Sequence, residues 1–272
     1  MTERIWFITG ASRGFGREWT EAALERGDKV AATARKLETL DPLVAKYGDK
    51  ILPIQLDVTD RDAAFAAVAQ AHENFGRLDV VINNAGYGLF GMVEEATAQE
   101  AHDQIETNLF GTLWVTQAAL PFLREQGSGH IIQVSSVAGV FALPGVGIYI
   151  ASKFAVEGFT QSLAMEVKDF GIKVTLVEPA GYATDWAAGS AIRSEQLPAY
   201  DEFRANPPIS ASARRADPSA TRAAILAVVD AEEPPRRIFF GKGALPLMQK
   251  EYASRLAEWE AWDEVSQAAF GD

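Results

Sequence analysis

The sequence predicts an α/β fold in which a doubly wound parallel sheet lies between two layers of helices. Short apolar runs alternate with longer segments that carry apolar residues at helical spacing. The short runs are apolar throughout, as expected for strands that are buried on both faces. A glycine-rich turn follows the first run, and such turns lie at the ligand-binding edge of doubly wound sheets.

The elements follow one another in this pattern without interruption. Predicted strands cover 5–8, 30–34, 51–56, 80–82, 131–134, 173–177 and 238–240. Predicted helices follow the first turn and cover 37–47, a segment from about 60, a long segment containing Leu109, Leu113 and Val115, and 155–167. Parallel strands joined by right-handed helical crossovers form a three-layer, Rossmann-like α/β/α fold.

Proline and glycine occur between elements and do not separate two compositional regimes, so we interpret residues 1–272 as a single domain. Several prolines interrupt about 184–218, and we expect this segment to cover the site. A helix is predicted at about 246–268. Its Tyr252, Leu256 and Trp259 share a face that is expected to pack on the body of the protein or on a second copy.

Composition excludes several classes of function. The chain has 272 residues and no cysteine, which removes disulfides, thiolate metal sites and cysteine nucleophiles. Asp and Glu number 37 against 25 Lys and Arg, giving a formal charge of −12 that argues against nucleic-acid or anionic-membrane partners. The three histidines show no metal-ligand spacing, so no metal site is predicted. The N-terminal segment resembles neither a signal peptide nor a membrane span, and we expect a cytoplasmic protein.

The turn from Thr9 to Gly16, TGASRGFG, joins the first strand to the first helix. Glycines allow a tight turn and let a diphosphate approach the amino terminus of the helix, where free N–H groups and the helix dipole attract anions. The turn therefore predicts a dinucleotide site. Its candidate cofactor contacts are Gly10, Ser12, Arg13, Gly14, Phe15 and Gly16.

The end of the second predicted strand indicates which dinucleotide binds. An acidic residue there would bind the ribose hydroxyls of NAD. This chain instead has Ala34, Arg35 and Lys36. The guanidinium of Arg35, together with Arg13, is suited to the 2′-phosphate of NADP. NADP is the predicted cofactor, and the alternative is that Arg35 belongs to an ordinary solvated helix start.

Tyr149 and Lys153 are four residues apart in a predicted helix and can share one of its faces. Tyrosine is a poor base at neutral pH, and a nearby ammonium is expected to lower its pKa. Ser136 follows a predicted strand, where its hydroxyl could bind a carbonyl oxygen. The three residues predict proton exchange with a substrate oxygen.

The ordered set of motifs resembles the short-chain dehydrogenase/reductase family over Ile5 to about Thr184. The motifs are TGASRGFG, NNAG at Asn83 to Gly86, Asn108, the serine pair ending at Ser136, Tyr149 with Lys153, and EPAGYATDW from Glu178. The family usually has Pro-Gly where this chain has Pro179-Ala180.

The resemblance implies a role for each matching residue. Tyr149 would be the acid/base, Lys153 would bind the nicotinamide ribose, Ser136 would orient the substrate oxygen, and Asn108 would anchor a water in a proton relay. Ser136 is preferred to Ser135 because the family serine lies thirteen residues before the tyrosine. Implied cofactor contacts, besides those of the turn and Arg35, are Asp57, Val58, Asn84, Ala85, Gly86, Tyr149, Lys153, Pro179 and Thr184.

The predicted function is NADPH-dependent hydride transfer to a ketone or aldehyde, reversible with an alcohol. The alternatives are an NAD-dependent alcohol dehydrogenase and a non-catalytic nucleotide-sensing regulator. The resemblance also implies a homodimer or homotetramer. Candidate residues for an apolar substrate pocket are Phe90, Val137, Phe141, Tyr182 and Trp186.

Overall fold

The computed structural model describes residues 3–183, 191–206 and 215–271. Within these ranges the strands are β1 (Ile5–Ile8), β2 (Lys29–Ala34), β3 (Ile51–Gln55), β4 (Val80–Asn83), β5 (Leu89–Phe90), β6 (Gly129–Val134), β7 (Ile172–Pro179), β8 (Ile192–Arg193) and β9 (Arg237–Phe240). The α-helices are α1 (Gly14–Arg26), α2 (Asp41–Tyr47), α3 (Arg61–Phe75), α4 (Ala98–Ile105), α5 (Gly111–Gln126), α6 (Gly147–Glu166), α7 (Asp201–Ala205), α8 (Arg222–Asp230), α9 (Ala244–Ala261) and α10 (Asp263–Ala268). None of the helices in these ranges is long and apolar enough to cross a membrane.

The main sheet of the described chain has seven parallel strands in the order β3-β2-β1-β4-β6-β7-β9. Phe7 of β1 is in register with Ala31 of β2 on one side and Val81 of β4 on the other. The chain therefore winds outward from β1 in both directions. This topology confirms the predicted Rossmann-like fold, and it opens a crevice at the carboxyl ends of β1 and β4.

Alternate residues of the central strands enter two separate cores. Phe7 belongs to the core that α3 and α5 cover, and Ile8 belongs to the core beneath α1 and α8. Both side chains are fully buried. Burial of such a side chain contributes about 1.5–3 kcal/mol, so the two cores hold both helix layers against the sheet.

Three helical predictions differ from the structure. The helix predicted over 155–167 begins at Gly147, so that the same helix includes Tyr149 and Lys153. The predicted long helix around Leu109 is α4, a π-helical turn at Glu106–Phe110, and α5. The C-terminal helix is broken at Trp262 into α9 and α10.

The apolar face of α9 does not pack on the body of the protein. Tyr252, Leu256 and Trp259 are 45%, 53% and 67% exposed. The expectation that they pack on the body was therefore wrong, because the buried residues of α9, Ala244 and Met248, lie in its first turns. Packing against a second copy stays a prediction.

A two-stranded parallel sheet attaches residues 191–206 to the rest of the described chain. β8 pairs with β5 through Leu89 with Ile192 and Phe90 with Arg193. The carboxylate of Glu95, which is buried, accepts from the backbone N–H of Leu197 at 2.8 Å and forms an ion pair with Arg204. Breaking a buried ion pair on one side costs several kcal/mol, so Glu95 is a strong anchor for this segment.

Candidate active site

The turn between β1 and α1 leaves the first amides of the helix available to a ligand. Gly10 and Gly14 adopt φ of +65° and +55°, a region that favours glycine. Arg13 lies at the N-cap position and makes no capping side-chain hydrogen bond, whereas Asp60 caps α3 by accepting from Ala63 N. The amides of α1 therefore face the crevice without a protein acceptor from the cap, which suits a bound diphosphate.

Asn84 holds the turn in place. Its Nδ2 donates to the carbonyl oxygens of Thr9 at 2.9 Å and Gly10 at 3.2 Å, and its own N–H donates to Thr9 Oγ1 at 2.9 Å. A Cβ at Gly16 would overlap the Gly10 carbonyl oxygen and lie 2.5 Å from Asn84 Nδ2. Gly16 therefore acts from behind the turn by allowing this close approach, and it does not line the cavity.

Predicted cofactor and catalytic residues meet because they follow the carboxyl ends of parallel strands. Arg35 follows β2, Asp57 follows β3, and Ser136 follows β6. They line one cavity of about 890 Å³. The predicted residues on its wall are Gly10, Ser12, Arg13, Gly14, Phe15, Arg35, Asp57, Val58, Asn84, Ala85, Gly86, Ser136, Tyr149, Lys153 and Pro179. Thr184 and Trp186 lie outside the described residues.

Tyr149 and Lys153 face the same cavity from the first turns of α6. Both are buried. Lys153 Nζ donates to the carbonyl oxygen of Val134 at 2.8 Å and lies 5.9 Å from the centroid of the Tyr149 ring. Tyr149 forms a side-chain hydrogen bond with Ser136, whose Oγ accepts from Ala138 N at 3.1 Å. The three side chains predicted to exchange a proton are thus brought together.

Burial governs the protonation of this group. It raises the pKa of Tyr149 to about 12, against a smaller lowering by the hydrogen bond with Ser136. Burial also lowers the pKa of Lys153 to about 8, against a raising effect of the Glu157 carboxylate. The pKa of Tyr149 is therefore raised and not lowered as expected, because desolvation of the phenolate outweighs the hydrogen bond with Ser136.

Asn108 lies behind the cavity in the π-helical turn and does not line it. Its Nδ2 donates to Tyr87 O at 3.1 Å and Ser152 Oγ at 3.0 Å, and its Oδ1 accepts from Tyr87 N at 3.1 Å. The side chain joins the loop after β4 to α6. Its amide is therefore committed to protein groups, and the implied water relay stays a prediction.

The remaining wall of the cavity is a mixture of polar and apolar residues. Its members include Tyr87, Asp103, Glu106, Thr107, Tyr182 and Ile192. Of the substrate-pocket candidates, Tyr182 lines the cavity, whereas Phe90, Val137 and Phe141 do not. The sequence reasoning missed Tyr87 and Ile192, because neither belongs to a motif and β8 is only two residues long.

Comparison with known proteins decides the family. A model described as short chain dehydrogenase matches residues 4–194. The chain belongs to the short-chain dehydrogenase/reductase family. The family assignment makes it an oxidoreductase that acts on alcohol or carbonyl groups.

Relatives of this short-chain dehydrogenase match it over nearly its whole length. Oxidoreductase BOA17 of Botryotinia fuckeliana is 44% identical, with 98% of this chain and 99% of the relative covered. A short-chain dehydrogenase structure from Streptomyces avermitilis has a TM-score of 0.92 at 39% identity, covering 98% of both chains. One from Burkholderia cenocepacia, in complex with NADP, has a TM-score of 0.75 at 29% identity, covering 95% of this chain and 97% of that one.

Proposed function

We propose that the protein transfers hydride between NADPH and a ketone or aldehyde, with Tyr149 as the proton donor, and that the reverse reaction oxidises an alcohol. The observation that carries the proposal is the juxtaposition of Tyr149, Lys153 and Ser136 on the wall of a cavity whose other end is the glycine-rich turn. Bound NADPH would supply the hydride. The protein's own residues orient the substrate and exchange the proton.

Tyr149 is protonated at neutral pH, because burial raises its pKa to about 12. A protonated phenol can donate to a carbonyl oxygen on which negative charge develops, and the phenolate that remains is stabilised by the ammonium of Lys153. Ser136 is hydrogen-bonded to Tyr149 and can donate to the same substrate oxygen. In the reverse direction, the phenolate accepts the alcohol proton.

NADP is the proposed dinucleotide because the cavity wall carries Arg13, at the start of α1, and Arg35, directly after β2. The corresponding strand end has no carboxylate that would repel a 2′-phosphate. The Burkholderia relative is an NADP complex, which supports this assignment. Two guanidinium groups also offset repulsion of a polyanion by a chain of charge −12.

The cover over the substrate is proposed to include residues 191–206. Ala191 and Ile192 line the cavity, and the Glu95 anchor fixes the segment that follows them. A small carbonyl compound bound beside Tyr149 would contact Ile192 and Tyr182. The proposed substrate therefore has an apolar portion next to its carbonyl group.

The test is the variant Tyr149→Phe, assayed by NADPH absorbance against a panel of ketones and aldehydes. We expect turnover to fall by about 10²–10⁴-fold, because the proton donor is lost, while calorimetry shows NADPH binding retained. Tyr252→Phe, which removes an exposed hydroxyl on α9, is the matched control and should retain turnover. Undiminished turnover in Tyr149→Phe would reject the proposal, and binding without turnover in the native chain would favour a nucleotide-sensing regulator.

A further inference from the structure

Two buried carboxyl groups lie behind the active site, on the face of the sheet that α6 covers. Glu157 is on α6, one turn beyond Lys153, and Glu178 is near the end of β7. Their side chains are 5% and 1% exposed. They lie within hydrogen-bonding reach of each other.

Among the described residues, one hydrogen bond from a positively charged side chain reaches this pair. Arg237 of β9 donates from Nε to Glu157 Oε2 at 3.1 Å. The same nitrogen is 3.6 Å from Glu178 Oε1, which is too far for a hydrogen bond. Glu157 Oε1 and Glu178 Oε1 are both buried and have no hydrogen-bond partner in the described part of the chain.

One proton held between the two carboxyl groups would let one of them donate a hydrogen bond to the other. Ionised carboxylates only accept hydrogen bonds, and two of them in contact repel each other in a buried site. A protonated carboxyl donates to its neighbour, so the two groups gain a hydrogen bond and the repulsion between them is removed. Burial and the Glu157 charge raise the pKa of Glu178 to about 8, and burial raises the pKa of Glu157.

The pair interacts electrostatically with Lys153 in the candidate active site. Glu157 and Lys153 are separated by four residues on one face of α6, so their side chains are neighbours. The Glu157 charge favours the ammonium form of Lys153 and opposes the effect of burial on the lysine pKa. Among the described residues, the charged groups that act on the pair are Lys153 on α6 and Arg237 on β9. The hydroxyl of Ser135, after β6, lies within hydrogen-bonding reach of Glu157.

We propose that Glu157 and Glu178 form a proton-sharing pair that keeps Lys153 protonated at the pH at which Tyr149 exchanges its proton. Both glutamates are positioning residues, since they act through Lys153 and do not line the cavity. The effect on turnover rests on the proposed function. The shared proton and its effect on the protonation of Lys153 are independent of the proposed function.

The experiment measures the Lys153 pKa directly by NMR titration of the protein labelled with ¹³C at lysine Cε, with the signal assigned by its loss in Lys153→Met. The variants are Glu178→Gln, the double variant Glu157→Gln with Glu178→Gln, and Glu166→Gln. We expect the double variant to lower the Lys153 pKa by about one unit, because no carboxylate then faces the ammonium. Glu178→Gln should retain a pKa near the native value, because its amide can donate to the still ionised Glu157.

Glu166→Gln makes the same chemical change at an exposed position of α6 and should leave the Lys153 signal unmoved. Infrared spectra at neutral pH should show a protonated-carboxyl band in the native protein that is absent from Glu178→Gln. A folded double variant with the native Lys153 pKa, or a native protein without that band, would overturn the proposal.

The alkaline limb of turnover should move to lower pH in parallel with the Lys153 pKa. A shifted lysine in a protein that turns over no carbonyl substrate would contradict the proposed function and leave the carboxyl pair established. A shifted lysine with an unchanged pH profile of turnover would show that Lys153 protonation does not govern the reaction, and would overturn the pair's part in it.

Discussion

The ammonium of Lys153 donates a 2.8 Å hydrogen bond to the carbonyl oxygen of Val134, the last residue of β6. This bond links the helix that carries Tyr149 to the strand end that precedes Ser136. A rigid connection of this kind matters because a displacement of about 1 Å between reacting groups can cost 10²-fold in rate. Lys153 therefore supplies both charge and alignment to the proposed proton donor.

Replacing Lys153 by methionine tests the role of its charge while a side chain of similar length is kept. In Lys153→Met the side chain still fills the space beneath Tyr149, but the ammonium is lost. We expect turnover to fall by about 10²–10⁴-fold, measured as kcat with NADPH and a carbonyl substrate. Lys168→Met, an exposed change just beyond α6, should retain native turnover. Native kcat in Lys153→Met would exclude a role for the ammonium.

Arg35 is expected to discriminate between the two nicotinamide dinucleotides. A charge-assisted hydrogen bond contributes about 1.5–3 kcal/mol, so its loss in Arg35→Ala should raise the KM for NADPH by about 10–100-fold. The KM for NADH, which has no 2′-phosphate, should change little. Lys50→Ala removes one positive charge from an exposed position and controls for net charge. An equal change in the KM for NADPH and for NADH would show that Arg35 does not bind the 2′-phosphate.

Gly16→Ala tests the close approach behind the glycine-rich turn. The added methyl group would overlap the carbonyl oxygen of Gly10, and overpacking of this kind costs about 1–3 kcal/mol. We therefore expect a lower free energy of unfolding and weaker NADPH binding, measured by urea denaturation and calorimetry. Gly158→Ala in α6 has open space around its Cβ and should instead stabilise the protein by up to about 1 kcal/mol. If both substitutions stabilised the protein, the close approach of Gly16 to the Gly10 carbonyl oxygen would be contradicted.

The buried side chain of His130 is expected to make the free energy of unfolding fall at acidic pH. It is buried in β6, its Nε2 lies 2.9 Å from Thr175 Oγ1, and burial lowers its pKa from 6.5 to about 3. Since the unfolded chain binds this proton more readily, the stability contributed above pH 6.5 is lost as the pH falls from 6.5 towards 3. The loss between pH 7 and pH 5 should be about 2 kcal/mol.

His130→Phe removes the titrating group and should flatten this part of the pH dependence of the free energy of unfolding. The exposed His102→Gln is the matched control and should keep the native slope. A native slope in His130→Phe would mean that acid destabilises the protein through other groups.

The features of the fold that follow from patterns of several residues could be predicted from the sequence. The apolar run of β1 is buried on both sides, as its composition indicated. β5 and β8 have two residues each, which is too short to show any periodicity. The break at Trp262 was also missed, because the helical pattern continues across it.

In the candidate site, too, sequence motifs predicted some features and missed others. Residues within motifs, such as Arg13 and Tyr149, line the same cavity, and their roles stay predictions. The direction of the Tyr149 pKa shift depends on burial, which a local pattern does not show. Glu157 and Glu178 meet only because α6 crosses over β7, and their spacing in the sequence gives no sign of that contact.

The aromatic packing beneath the glycine-rich turn provides an optical signal. Phe15 lines the cavity, and its ring stacks on that of Trp19, with the two centroids 5.4 Å apart. Trp19 is fully buried and held by a hydrogen bond from its indole to Thr221. Reduced nicotinamide absorbs where tryptophan emits, so dinucleotide bound in the crevice will quench Trp19 by energy transfer. If the dinucleotide binds there as proposed, tryptophan fluorescence would report its binding without any substrate or label.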